Sequence, residues 1–144
     1  MTDPLGLRVR PANDSDREAV LELATVMAVS FTVERGPFLR SFAAVLDAPS
    51  AHLLVIDSGS TVGGYLLGFE HPAFFANGSV AWIEEIAVRE NLRRQNLGSR
   101  LMAAFEDGVR ERGSRLVALA TTRASNFYEA IGYTRHAAYY RKNL

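Results

Sequence analysis

The chain has 144 residues, 16 of them basic and 16 acidic, with three histidines and no cysteine. At roughly 100–200 residues per domain this length predicts one domain over 1–144. The 48% hydrophobic and 22% charged residues are ordinary globular values, which excludes disordered, collagen-like and coiled-coil classes. Balanced charge argues against a general nucleic-acid surface, and the missing cysteine rules out a disulfide or a thiolate nucleophile. With so few histidines, no metal site is expected either.

No window approaches the ~18 apolar residues of a membrane span, and Met1-Thr2-Asp3-Pro4 begins neither a basic nor an apolar leader, so a cytoplasmic protein with no membrane partner is expected. Leu7-Arg8-Val9-Arg10 alternates apolar and charged residues and predicts a short strand stopping at Pro11. A helix follows. Asn13, Asp14 and Ser15 are all N-cap types, Ser15 and Glu18 have capping-box spacing, and Val20, Leu23, Ala24, Met27 and Ala28 repeat at helical intervals. After the Gly36-Pro37 break, a weaker helix is predicted from Phe38 to Leu46 with Leu39, Phe42, Ala43 and Leu46 inward. His52 to Asp57 and Thr61 to Glu70 read as a hairpin around Ser58-Gly59-Ser60, His71 to Ser79 as a loop, and Val80 to Val88 as another strand.

Leu97, Leu101, Phe105 and Val109 recur every four residues up to Gly113 and predict a helix. A strand over Arg115 to Ala120, a short helix over Ala124 to Ile131 and a last strand over Tyr133 to Arg141 complete the order. Strands and helices in this sequence imply a mixed sheet with helices on its faces.

The stretch from Ile86 to Leu101 joins an apolar strand to a helix through a short polar connection holding Arg93 and Arg94. Such a junction aims backbone N–H groups and the positive end of a helix at one place, beside two guanidinium groups, which suits a pyrophosphate. Neither G-x-x-x-x-G-K-[ST] nor G-x-G-x-x-G occurs in the chain. The competing reading makes Arg93 and Arg94 a solvated loop and Gly98 a packing residue.

Val88 to Gly98 resembles the signature of the GNAT superfamily of N-acetyltransferases, R/Q-x-x-G-x-G/A after its fourth strand, with Arg93 in the first position and Gly98 in the last. Asn96 stands where glycine is usual and Glu90 where proline is common; asparagine tolerates positive φ, so the turn can survive. Thr122 to Tyr133, with Ala124, Phe127-Tyr128 and Ile131-Gly132-Tyr133, is similar to the family's A-x-x-F-Y-x-x-x-G-F/Y pattern, with Thr121 where asparagine is frequent. The likeness spans nearly the whole chain and is weakest from Phe31 to Pro49.

The resemblance implies an α/β, GNAT-like fold: a twisted, mostly antiparallel mixed sheet flanked by helices. It implies acetyl-CoA as cosubstrate, lying where the fourth and fifth strands splay. Ile86, Ala87 and Val88 would meet the pantetheine arm with their main chain, and Arg93, Arg94, Gln95, Asn96, Leu97, Gly98 and Ser99 the pyrophosphate. Tyr128 matches the family's tyrosine near the sulfur and is the general-acid candidate. Glu84 and Glu85 are the candidates for binding or deprotonating the amine. Because strand neighbours alternate, only one should face the cleft, Glu84 sharing a face with Ile86 and Val88, Glu85 with Ala87. A rim salt bridge is the other reading of these carboxylates. His71 is a second base candidate, against a merely solvated histidine, and Phe74 and Phe75 are candidates to line an acceptor pocket.

The expected activity is therefore direct acetyl transfer from acetyl-CoA to a primary amine of a small molecule, peptide or protein. Without cysteine, no thioester-enzyme intermediate is available. The alternative is a non-catalytic acyl-CoA-binding regulatory domain. An enzyme acetylating aminoacyl-tRNA would want a basic surface, which the zero net charge does not supply. Edge strands near the C-terminus leave a homodimer open.

Overall fold

The computed structural model describes residues 5–144. Five strands form one sheet in the order β1 (Arg8–Pro11), β2 (Ala51–Asp57), β3 (Val62–Ala73), β4 (Gly78–Val88) and β5 (Val117–Leu119). The first four pair antiparallel and β5 joins β4 in parallel, which is the mixed sheet the element order implied. Helices α1 (Arg17–Met27) and α2 (Arg35–Asp47) cover one face, α3 (Leu97–Glu111) covers the other, and the short α4 (Ser125–Ala130) follows β5. Among the described residues no helix is long and apolar enough to cross a membrane.

Strand alternation sorts the sheet's side chains between two cores. Val55 and Tyr65 pack with Val20, Leu23, Ala24 and Phe42 under α1 and α2, whereas Ile56, Leu66, Ala81 and Ile83 pack with Leu97, Leu101, Met102, Phe105 and Val109 of α3. Gly68 is a place where this packing dictates residue type. A Cβ there would lie 2.4 Å from Phe105 Cε2, so the ring rests on bare backbone.

Just beyond Gly68 the register slips. Ile83 stands opposite Gly68 and Glu85 opposite Leu67, which leaves Glu84 as one extra residue in β4, a β-bulge. The bulge corrects the expectation that Glu84 and Glu85 face opposite ways. Trp82 lies opposite Phe69, on the face shared with Tyr65 and Leu67, and its indole N–H donates to Glu84 Oε2 at 3.1 Å. Glu85 reaches Tyr65 on that same face, and after the bulge it is Ile86 that returns to the α3 core.

The first strand is anchored by charge. Arg10 donates from both terminal nitrogens to Asp16 at 2.8 Å and from Nε to Asp57, closing β1 and β2 on the turn that starts α1. Arg10 above all, against the effect of burial, holds the Asp16 carboxyl below the usual range. Of the three cap candidates, Asn13 caps the 3-10 turn Asp14–Asp16 that leads into α1: its side chain accepts from the Ser15 N–H while Asp16 accepts from the Asn13 N–H.

Four other expectations need correction. The helix predicted from Phe38 begins at Arg35, because Gly36 and Pro37 occupy its first turn, where an N–H has no intrahelical acceptor to lose. Phe38, Phe42, Val45 and Leu46 make its inward stripe, while Ala43 is exposed. The loop predicted from His71 is still strand: pairing runs to Ala73 opposite Gly78, and the turn is confined to four residues in which Asn77 takes φ 58°. Residues 133–141 form no strand. The Tyr133 N–H returns to the Tyr128 carbonyl and its hydroxyl to Glu106 of α3, tying the chain to helices instead of to β5.

Candidate active site

Only the first half of β4 is paired on both sides. β5 matches Ala81, Trp82 and Ile83 and goes no further, whereas β3 follows β4 to Val88. Among the described residues, the edge of residues 84–88 that faces away from β3 has no strand partner. The Arg89 N–H donates to the Gly63 carbonyl at 2.8 Å, and ladder alternation from that point turns the amides and carbonyls of Ile86 and Val88 to the open edge and those of Ala87 toward β3. A ligand with an extended, amide-bearing arm can complete such an edge as another strand would.

The chain leaves β4 through a 3-10 turn, Glu90–Leu92, and enters α3 through two left-handed residues, Arg94 at φ 68° and Asn96 at φ 64°. Asn96 is the helix N-cap, yet its side chain makes no capping hydrogen bond. The helix ladder starts with Arg100 N–H to the Asn96 carbonyl at 3.0 Å, so the N–H groups of Leu97, Gly98 and Ser99 have no acceptor one turn back. They project at the positive helix end, beside Arg93, Arg94 and Gln95, all exposed, in an anion-binding arrangement. Gly98 also serves packing: a Cβ there would meet Phe127 Cζ at 3.3 Å, so the glycine lets α4 close on α3.

On the other face, a cavity of about 450 Å³ lies between α1, α2 and the sheet. Its apolar walls include Val20, Phe38, Phe42, Leu53 and Leu67, its polar groups are Thr32, Glu34, Ser41, Tyr65 and Glu85, and among the described residues no Arg, Lys or His lines it. Tyr65 is 1% exposed and donates its hydroxyl to Glu85 Oε1 at 2.7 Å. Burial, and then the Glu85 charge, push the Tyr65 phenol far above its ordinary range, so it remains a donor.

Tyr128 is buried in the α3-side core, edge-on to Phe127 and Tyr133 at 4.9 and 5.9 Å between ring centroids. Its hydroxyl has no hydrogen-bond partner among the described residues, and burial raises its pKa. Thr121 Oγ1 accepts from the Ala124 N–H at 3.0 Å and shapes the turn into α4.

The family model "Acetyltransferase (GNAT) family" matches residues 18–133, which include the β4 edge, the turn and Tyr128. The chain belongs to the GNAT family of acetyltransferases. It is 29% identical over 141 residues, 94% of this chain and 90% of the other, to an aminoalkylphosphonate N-acetyltransferase of Salmonella typhimurium. In fold it is similar to a protein described as a transcriptional regulator from Bacillus halodurans (TM-score 0.87, 22% identity, 96% of this chain and 99% of that one). It is also similar to glucosamine-6-phosphate N-acetyltransferase from Arabidopsis thaliana (TM-score 0.83, 22% identity, 95% and 97%).

In this GNAT chain the predicted site residues fall into three groups around the open edge of β4. Ile86 and Val88 form that edge, residues 93–99 continue it into the turn, and Glu85 enters the cavity on the α1–α2 side. Tyr128 stands on the opposite face, with no hydrogen bond to either glutamate. Glu84 is exposed and is not among the cavity residues. His71 is exposed, its Nδ1 3.1 Å from the Pro72 carbonyl, and Phe74 and Phe75 sit fully outside at the hairpin tip, 101% and 77% exposed, so none of the three lines the cavity. Phe38 and Phe42 supply its aromatic wall instead. Sequence reasoning missed Tyr65 and Glu34. Tyr65 carried a usable signal, a hydroxyl in an otherwise apolar strand, but its partner is set by the bulge.

Proposed function

We propose that the protein is an acetyl-CoA-dependent N-acetyltransferase, one domain over residues 1–144, which moves an acetyl group directly to a primary amine held under α1 and α2. The observation that carries this reading is the open edge of β4: it runs into the amide-rich start of α3 at one end and lies beside the Glu85 carboxylate at the other. When bound, acetyl-CoA supplies an acetyl group activated as a thioester. Ile86 and Val88 would hold the pantetheine through their outward amides and carbonyls, with Ala87 fixing the strand to β3. Arg93, Arg94, Gln95, Asn96, Leu97, Gly98 and Ser99 would hold the pyrophosphate through backbone N–H groups and guanidinium charge.

Tyr65 occupies Glu85 Oε1, which leaves Oε2 to receive the ammonium and then its proton, directly or through one water. Glu84, outside the cavity, bonds Trp82 instead. Tyr128 keeps its proton because it is buried. From ordinary values of about 10 for a phenol and about 8.5 for a thiol, transfer to a free thiolate is uphill by about 2 kcal/mol. Tyr128 would therefore hydrogen-bond the sulfur as charge collects there and remain a phenol, while the proton released by the nitrogen of the tetrahedral adduct would pass to the departing thiolate. A module that only bound an acyl-CoA would have no use for the Tyr65–Glu85 pair facing a second cavity, which favours the enzyme over the regulatory reading. We place the reaction in the cytoplasm, in keeping with a chain that has no cysteine to oxidise.

The test is the melting temperature with acetyl-CoA, CoA and dephospho-CoA, because a ligand that binds only the folded state raises it. At 100 times its Kd, acetyl-CoA should add about 2.7 kcal/mol of apparent stability. Thiol release with an amine should accompany it. No shift at millimolar acetyl-CoA would refute the reading.

A further inference from the structure

We propose that the acceptor is an amphipathic monoamine, a primary amine on an aryl or alkyl body with no anionic group. The inference rests on the acetyltransferase reading and narrows it. The cavity is large enough for a body of this kind, and Val20, Phe38, Phe42 and Leu53 give it apolar and aromatic walls. Its charged groups are both acidic. Glu85 is half-buried beside the open edge of β4, and one of its oxygens is fixed by Tyr65, so it presents the other to a single ammonium. Glu34 stands exposed at the start of α2, and its side chain neither caps the helix nor meets a cation among the described residues.

Anionic amines are disfavoured by the same inventory. A carboxylate or phosphonate on the acceptor would enter a space bearing two acids and no Arg, Lys or His, and would lose its water without gaining a partner. A polyamine such as spermidine is disfavoured by the walls: its three ammonium groups outnumber the two carboxylates, Glu85 and the exposed Glu34, so at least one would lie against Phe38 and Phe42 unpaired.

The experiment compares thiol release at saturating acetyl-CoA with 2-phenylethylamine, phenylalanine, 2-aminoethylphosphonate and spermidine. Calorimetric titration of the same four amines into the protein with CoA runs beside it. We expect kcat/KM for 2-phenylethylamine to exceed each of the others by about 100-fold, as like-charge or unpaired-charge burial demands. Glu34→Arg should then raise KM for 2-phenylethylamine and narrow the gap to 2-aminoethylphosphonate. Equal or better use of phenylalanine, the phosphonate or spermidine overturns the inference while leaving the acetyltransferase intact. Failure of 2-phenylethylamine both to turn over and to bind also overturns it. Failure of acetyl-CoA itself to raise the melting temperature is the separate result that removes the underlying function.

Discussion

The two faces of the sheet are built to different ends. Under α3, one continuous apolar cluster packs so closely on the strands that Gly68 gives up its side chain to seat the Phe105 ring. Under α1 and α2, the sheet ends in a hydrogen-bonded Tyr65–Glu85 pair and a cavity of about 450 Å³. Both faces carry a core, but the α1–α2 side also leaves the space we assign to an acceptor, and the open edge of β4 is where the two sides meet.

That division can be broken most forcefully at Phe105. Phe105→Ala should cost about 3–5 kcal/mol of stability, seen as a lowered melting temperature, because the hollow over Gly68 cannot refill. The ratio of kcat/KM between two amines should not move; a changed preference would mean that the α3 face shapes the acceptor site after all. Tyr128 sharpens the comparison, since it packs with the α3 core yet is assigned to the chemistry. Tyr128→Phe should lower kcat by about 100-fold and leave acetyl-CoA affinity within about twofold. A purely structural role would instead appear as lost stability with kcat retained.

The smallest effect is expected at His52, on the α3 face between Glu70 and Phe105. Burial, and then Arg112, hold its imidazole below the usual range against the pull of Glu70. The unfolded chain therefore takes up the proton first, so stability present above about pH 6.5 is lost as pH falls through the folded value. Glu70 acts further down: burial pushes it up, but Ser114, Arg112 and His52 outweigh that and hold it low. Melting temperatures from pH 7 to 5 should fall in the parent protein and fall less in His52→Asn.

Local signals gave the helix of α3 and the order of the elements as far as α4, each decided within a few residues of chain, and the family resemblance pointed to the left-handed turn at Asn96. What escaped depended on partners distant in sequence. The extra residue at Glu84 exists only in the pairing with Leu67 and Gly68, so strict alternation put Glu84 on the wrong face, while Glu85 shares the face of Ala87 as alternation implied. The strand expected from Tyr133 was a β-rich run whose tyrosine found Glu106 instead of a neighbouring strand. Phe38 and Phe42 looked like plain core, and only the space left between α2 and the sheet makes them walls of a site.

The bulge at Glu84 amounts to a phase slip in the up-and-down wave of side chains along β4. Before it, even-numbered residues look toward α1 and α2; after it, odd-numbered ones do. What aims Glu85 is thus a count, three steps from Ile83 to Ile86, and not the chemistry of the residue that supplies the odd step. The slip also brings Ile83 and Ile86, three residues apart, onto the one face under α3, where unbroken alternation would have set them on opposite sides.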